Sequence, residues 1–444
     1  MIAPEKPDGQ NTGKPLEQSL TILHKSLREQ AGETDAETVK LIQEQIRATI
    51  PSMDTGGSLP QKKTPSGKTK VLHINYTRGQ AAKLANTELE HLLFFARTAT
   101  ELGLRLKILT DSSCREEVEQ ALTKEQFKPL EYDITESQNP VSKWAEDSVE
   151  YLENGRVAVL NQFDEELLIW AMTEGRRHRW QAKTTPENLE EALRDDHLWI
   201  LLGVRVNALK MGIERARAAH AKEQPISHIR AYIEGGNMIT GEDTMGKPLI
   251  LVGKDAIAAT AHIYQLNNND VRRLICEDFG LDSVEQVICV EQPGKFHLDM
   301  GMLFIGNGVV VVNTSSEALK DAIEMAEMVP CLTTEKMAAK LKLRCSLEED
   351  AANDLAAAGL DVRREQLEND AFYNFFNGEF VEGQDGENYY ITNGGLRAQE
   401  ERFETLMTAK WNSVKKVFFS PADVAHKSLQ ERGGVGCRIK GSHH

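Results

Sequence analysis

From position 70 onward the chain alternates between two hydrophobic periods. Residues 71–76 read as a strand, 87–102 place apolar side chains at helical spacing, and 104–109 return to strand, which predicts a strand-helix-strand unit. The same grammar recurs at 249–252, 270–279 and 287–290, and again at 302–312 with its following helix to 328. Such recurrence predicts repeated β-α modules, although the segments share rhythm and not sequence. Two stretches break the rhythm: 163–222, where Leu167, Leu168, Trp170 and Ala171 precede an apolar run at 198–202, and 333–374. Both read as helical insertions that cover the main body, either as lids over a site or as structural padding.

Upstream, residues 1–68 are rich in Gly, Pro, Gln, Lys and Thr, with one helical stretch at 16–50 and a flexible run at 51–68. They read as an appendage, leaving 69–444 as the catalytic body. The length of 444 residues suits one large closed unit with appendages as well as it suits two domains.

Charge narrows the partners. A formal net charge of −16 repels a phosphate backbone, so nucleic acid is not expected, whereas a cationic substrate fits. The first ten residues lack a basic stretch followed by an apolar core, and no apolar run approaches a membrane span, so neither export signal nor anchor is expected. The expected location is cytoplasmic, with delivery by a specialised secretion system left open. Six cysteines, at 114, 276, 289, 331, 345 and 437, form no CxxC pair, which argues against a disulfide framework and a zinc site.

Four motifs carry candidate chemistry. Phe296-His297-Leu298-Asp299 precedes an apolar strand, and in an extended segment its imidazole and carboxylate share a face. Glu234-Gly235-Gly236-Asn237 ends a short apolar run, and its glycines let backbone approach a ligand. Gly433-Gly434-Val435-Gly436-Cys437 sets a cysteine after small residues that leave its sulfur accessible. Trp144-Ala145-Glu146-Asp147 offers an aromatic wall and adjacent carboxylates, which suit a flat cation. Taken singly, each also reads as structure: a satisfied His-Asp pair, a turn, a packed cysteine, a solvated acidic loop. Together, carboxylates, one histidine and one thiol form a kit for a guanidinium. That group is planar and always charged, so carboxylates grip its nitrogens while the central carbon stays open to a thiolate.

The four motifs, in this order from Trp144 to Cys437, resemble the guanidino-group-modifying (pentein) superfamily of arginine, agmatine and peptidylarginine deiminases and amidinotransferases. The resemblance places Asp147, Glu234, His297, Asp299 and Cys437 in that family's catalytic set. Tyr390-Ile391-Thr392-Asn393-Gly394-Gly395 is similar to the strand and turn before the final module of agmatine and bacterial peptidylarginine deiminases. The fold it implies is an α/β propeller of five β-α modules in pseudo-fivefold arrangement, here with helical insertions and an N-terminal appendage. Two departures stand out. The family's Trp-x-Arg-Asp becomes Trp144-Ala145-Glu146-Asp147, with Glu146 as a stand-in beside Asp147, and Arg438-Ile439-Lys440 follows Cys437 where Met or Ile and Thr or Ser are common. The closing Gly441-Ser442-His443-His444 reads as an appended tag.

What the resemblance implies is hydrolysis of a guanidinium to a urea and ammonia. Asp147, Asp299 and Glu234 hold the cation, Cys437 adds to its carbon, and His297 moves the protons, with no metal or organic cofactor. Trp144, Glu146 and Asn237 are the expected substrate neighbours. Arg432 resembles an arginine-deiminase residue that grips an α-carboxylate, which favours free or C-terminal arginine over agmatine; alternatively it is an exposed loop residue. A small guanidine or a protein arginine side chain is the expected substrate, and a homo-oligomer is left open. An amidinotransferase, or a non-catalytic or host-directed binding protein on this fold, remains the alternative.

Overall fold

The computed structural model describes residues 57–65, 69–78, 82–137, 141–161, 226–264, 266–293, 297–369, 372–431 and 433–443. The expected helix at 16–50 and insertion at 163–222 lie outside them. The fold is mixed α/β. Strand β1 (Val71–Tyr76) leads through α1 (Ala82–Leu102) to β2 (Arg105–Asp111), and α2 (Arg115–Lys124) leads to β3 (Tyr132–Ser137), all three strands parallel. A second sheet pairs β4 (Val149–Tyr151) antiparallel with β5 (Val157–Asn161), and β5 parallel with β6 (Ile226–Tyr232).

The grammar of an antiparallel hairpin followed by a parallel third strand then repeats. Hairpin β7 (Met238–Glu242) and β8 (Pro248–Gly253) is followed by α3 (Lys254–Tyr264), α4 (Asn268–Phe279) and β9 (Val287–Val290). Hairpin β10 (Met302–Phe304) and β11 (Val309–Asn313) is followed by α5 (Ser316–Met328), α6 (Leu332–Ala357) and β12 (Asp361–Glu365). After a small hairpin, β13 (Glu368–Asn369) and β14 (Tyr373–Asn374), come β15 (Gly378–Glu382), β16 (Asn388–Thr392), α7 (Arg397–Thr405) and β17 (Lys416–Phe419). Helices α8 (Ala422–Gln430) and α9 (Val435–Arg438) lead to β18 (Ile439–Ser442), which pairs antiparallel with β1 and closes the first sheet.

Local chemistry explains the repetition. Each of the four hairpins that a parallel third strand follows turns through a left-handed glycine: Gly155, Gly246, Gly306 with Gly308, and Gly386. A parallel third strand cannot follow by a tight turn, so a crossover, here usually helical, intervenes and buries its apolar face on the sheet. Val271, Ile275 and Phe279 of α4 pack on Ile250, Val252 and Val287, as Leu92, Phe95 and Ala99 of α1 pack on Leu72, Ile74 and Ile108. Each large side chain so buried stabilises the fold by about 1.5–3 kcal/mol.

Three sequence readings change. The helix-rich character expected over 333–374 ends at Ala357, where Gly359 turns left-handed at φ 82°, and β12, β13 and β14 follow. Helix α6 is thus the crossover between β11 and β12. Gly441 and Ser442, read as part of a tag, are strand residues: Ser442 is in register with Val71, and its hydroxyl meets His73 Nε2 at 2.7 Å. Residues 57–65, read as part of the flexible appendage, run along the edges of β4 and β7. There Gln61 N donates to Tyr151 O at 2.7 Å and Lys63 N to Thr240 O at 3.2 Å. No helix among the described residues is long and apolar enough to cross a membrane.

Candidate active site

The site is assembled from chain ends that the sheets bring together. Just after β6, Glu234 in extended conformation precedes a single 3-10 turn over Gly235–Asn237. His297, also extended, precedes another over Leu298–Met300. That turn replaces the extended segment expected from the sequence, yet the two side chains stay close. A Cβ on Gly236 would lie 2.6 Å from His297 Nδ1 and 2.8 Å from Asp299 Oδ1, and one on Gly235 would lie 2.2 Å from the Glu146 carbonyl. The glycine pair is therefore required by close approach. His297 Nε2 and Glu234 Oε2 are 2.5 Å apart.

Cys437 lies in the one-turn helix α9, and its carbonyl accepts from Glu146 N at 3.2 Å. One ligand atom each from Glu146, Asp299 and Cys437 falls within a mutual 4.8 Å. The sulfur is not exposed as the glycine-rich flank suggested: Cys437 is only 3% accessible. The glycines instead admit two asparagines. A Cβ on Gly434 would fall 2.5 Å from Asn393 Nδ2 and 2.6 Å from Asn377 Oδ1, and one on Gly436 would fall 2.9 Å from Asn377 Nδ2.

Burial and charge set the protonation states. Burial pushes the Cys437 thiol well above its ordinary range, and Asp299, Asp147 and Glu146 add to the rise. Asp299 is raised well above an ordinary carboxyl by burial and then by Glu146. Asp147 is pushed up to about 7, chiefly by burial, with His297 opposing and Glu234 and Glu146 adding. Glu146 goes the other way. Burial would raise it, but Lys63 and Lys440 outweigh burial and hold it lowered.

Lys63 comes from the 57–65 segment. Its ammonium donates to Glu146 Oε1 and, at 2.8 Å, to the Gly235 carbonyl, and lies 3.9 Å from Glu150 Oε1. Lys440 Nζ donates to Glu150 Oε1 at 2.5 Å. Even with both lysines in place, Glu146 Oε2, Asp147 Oδ1 and Asp299 Oδ1 are buried without a protein N–H to bond, and the Asp299 and Glu146 carboxyls lie against each other. Buried acceptors of this kind are costly, and a ligand with several N–H groups would satisfy them.

Of the nine residues singled out in the sequence, six cluster here: Glu146, Asp147, Glu234, His297, Asp299 and Cys437. Trp144 packs beside Met300 and Cys437, but its ring meets the chain's own cations, Lys143 Nζ at 4.7 Å and Arg438 Cζ at 5.0 Å. Asn237 turns its amide to Asp255 Oδ1 at 2.6 Å, and its Oδ1 accepts from Gln292 at 3.5 Å. Arg432 lies outside the described residues. The sequence reading passed over Lys63, Lys440 and Asn377. The pairing of Asn374 and Asn377 ahead of Gly378, much like Asn393 ahead of Gly394, is the one local signal that points to the last of these.

Two comparisons find nothing: no protein-family model matches the sequence, and no curated protein matches it. Solved structures do match in fold. An X-ray structure assigned as an agmatine deiminase superposes with a TM-score of 0.54 at 13% identity, covering 87% of this chain and 96% of its own. The agmatine deiminase of Enterococcus faecalis, in a structure described as catalysing its reaction, gives 0.50 at 11% identity over 86% and 95%. The resemblance read from the scattered motifs is therefore also present in three dimensions, at the level of fold.

Proposed function

We propose that this protein hydrolyses the guanidinium of arginine or an arginine-like substrate, giving a citrulline-like urea and ammonia through a covalent Cys437 intermediate. The observation that carries this reading is the set of three buried carboxyl oxygens without a protein N–H partner, on Glu146, Asp147 and Asp299, gathered around a thiol and a His-Glu pair. A guanidinium supplies the missing N–H donors and positive charge together, and its central carbon remains open above the plane.

In the proposed reaction the cation settles against Asp147 and Asp299, and Asp147 gives its proton to solvent as it does so. Its positive charge offsets the carboxylates that hold the Cys437 thiol up, so the thiol can give its proton to solvent while His297, paired with Glu234, enters the step protonated. The thiolate adds to the guanidinium carbon, the C–N bond breaks, and His297 protonates the departing nitrogen so that ammonia leaves. Water then gives its proton to His297 and adds to the resulting thiouronium. The C–S bond breaks, and a urea and the thiol are released. Glu234, paired with His297 Nε2, orients the ring and supports its charged form.

The five described sheets of three or more strands, each combining an antiparallel and a parallel pairing, with β18 returning to β1, support a five-module propeller arrangement for this site. A cytoplasmic location is part of the proposal, since a reducing compartment keeps cysteines as free thiols. The neighbours' described substrate puts agmatine beside arginine and an arginine-containing peptide in the deciding assay, which measures ureido product and ammonia from each. Product from one of the three, lost in Cys437→Ala, is the expected result. A guanidinylated amine in place of urea would make the protein an amidinotransferase, and full turnover by Cys437→Ala would end the proposal.

A further inference from the structure

Asn377 stands at the entry to β15 and is fully buried. Its amide nitrogen has two hydrogens, and both point into the site: Nδ2 donates to Asp299 Oδ2 at 2.6 Å and to Cys437 Sγ at 3.3 Å. Its Oδ1 accepts from the Cys437 backbone N–H at 3.4 Å. The orientation of the amide follows from these partners. Exchanging nitrogen and oxygen would set N–H against the Cys437 N–H and oxygen against the Asp299 carboxyl.

Main chain and side chain divide their tasks at this residue. The Asn377 carbonyl accepts from Gly436 N at 3.4 Å, Asn393 Nδ2 at 3.0 Å and Thr392 Oγ1 at 3.2 Å, while its N–H donates to Asn374 Oδ1 at 3.3 Å. Those bonds fasten the loop before α9 and would survive any replacement of the side chain. The side-chain polar atoms bond only to Cys437 and Asp299 among the described hydrogen bonds. Packing alone would not require an amide there, nor glycine at both 434 and 436 to make room for it.

We propose that Asn377 is a positioning residue of the reaction, holding the Cys437 sulfur and the Asp299 carboxyl at fixed separation and donating a hydrogen bond to the thiolate when it forms. The inference rests on Cys437 being the nucleophile. A donor that carries no charge suits this place. It favours the thiolate over the thiol, as a hydrogen bond to the charged form does, while a further carboxylate would oppose ionisation and a further ammonium would compete with a cationic substrate.

The test is the rate at which Cys437 is alkylated by chloroacetamidine and by neutral iodoacetamide between pH 6.5 and 9.5. Labelling is mapped to the residue by peptide mass spectrometry, because five other cysteines are present. The variants are Asn377→Ala, Asn377→Asp, which keeps shape and the Oδ1 acceptor, and Asn377→Ser, which keeps a donor. Asn377→Ala should slow alkylation roughly tenfold at each pH below the thiol's midpoint, the effect of one lost hydrogen bond to a charged group. Asn377→Asp should slow it further by adding a carboxyl beside the sulfur, and Asn377→Ser should recover part of the rate. A folded Asp or Ala variant that labels at the wild-type rate across this range overturns the role of Asn377 and leaves the nucleophile in place. Wild-type protein whose Cys437 reacts with neither reagent overturns the nucleophile itself, and this inference with it.

Discussion

Cation binding should strengthen with pH across neutrality, and Asp147 sets the size of the effect. Its carboxyl titrates at about 7 in the free protein, chiefly because it is buried. With that midpoint, roughly a tenth of the molecules carry the anion at pH 6 and roughly nine tenths at pH 8. A guanidinium keeps its charge throughout, so only the protein titrates. If binding requires the Asp147 anion, affinity should rise about tenfold from pH 6 to pH 8, or about 1.4 kcal/mol. The measurement is calorimetry of agmatine or arginine binding to Cys437→Ala, which removes turnover, at pH 6, 7 and 8 in two buffers of different ionisation heat. Near pH 6 each bound cation should release close to one proton. Release of more than one means that Asp299, also raised, ionises on binding too. Asp147→Asn should bind weakly and lose the slope. Affinity that stays flat over this range, or a slope that persists in Asp147→Asn, would refute the argument.

Two further outcomes follow from the geometry. Lys63→Met leaves the buried Glu146 carboxylate without its ammonium and should cost about 3–5 kcal/mol in urea unfolding, most of it regained in the Lys63→Met, Glu146→Gln double variant; equal losses in both would mean that Lys63 acts through packing. Gly236→Ala puts a methyl within 2.6 Å of His297 Nδ1 and 2.8 Å of Asp299 Oδ1, so kcat/KM should fall on the order of 100-fold while thermal stability changes far less. Turnover at the wild-type rate would show that the His297 and Asp299 positions tolerate displacement.

How much of the site the sequence revealed depended on how locally each part is encoded. Glu234 and His297 are marked by neighbours within two residues, glycines in one case and Asp299 in the other, so their motifs can be read without a fold. The β-α rhythm is legible for the same reason, but 333–374 reads as a covering insertion, whereas α6 stops at Ala357 and is the crossover between β11 and β12. Lys63 is 83 residues from Glu146 and 172 from Gly235, and Asn377 is 60 from Cys437 and 78 from Asp299. No hydrophobic period encodes contacts at such separation. The glycines before Cys437 suggest an exposed sulfur, whereas it is buried, because sequence does not say what fills the space a missing Cβ leaves. Here Asn377 and Asn393 fill it.

The charge balance around Lys63 gives these pieces a common logic. Glu146, Glu150, Asp299 and Glu379 act on its ammonium, Lys440 stands beside Glu150, and Asp147 lies against Glu146. Carboxyls in this cluster outnumber ammonium groups, and burial forbids that all of them ionise. The excess is carried as protons, which is why Asp147 and Glu379 are both pushed up to about 7 while Glu146, next to Lys63, is lowered. Such a cluster binds a cation by exchanging protons for it. On the proposed reaction the exchange also runs in reverse: the urea product is neutral, so the carboxyls recover their protons, the thiol is no longer favoured as an anion, and the product loses the charge that held its precursor. Selectivity for the substrate and release of the product would then have one electrostatic cause, and it explains why a neutral amide, not another acid, sits against the sulfur at position 377.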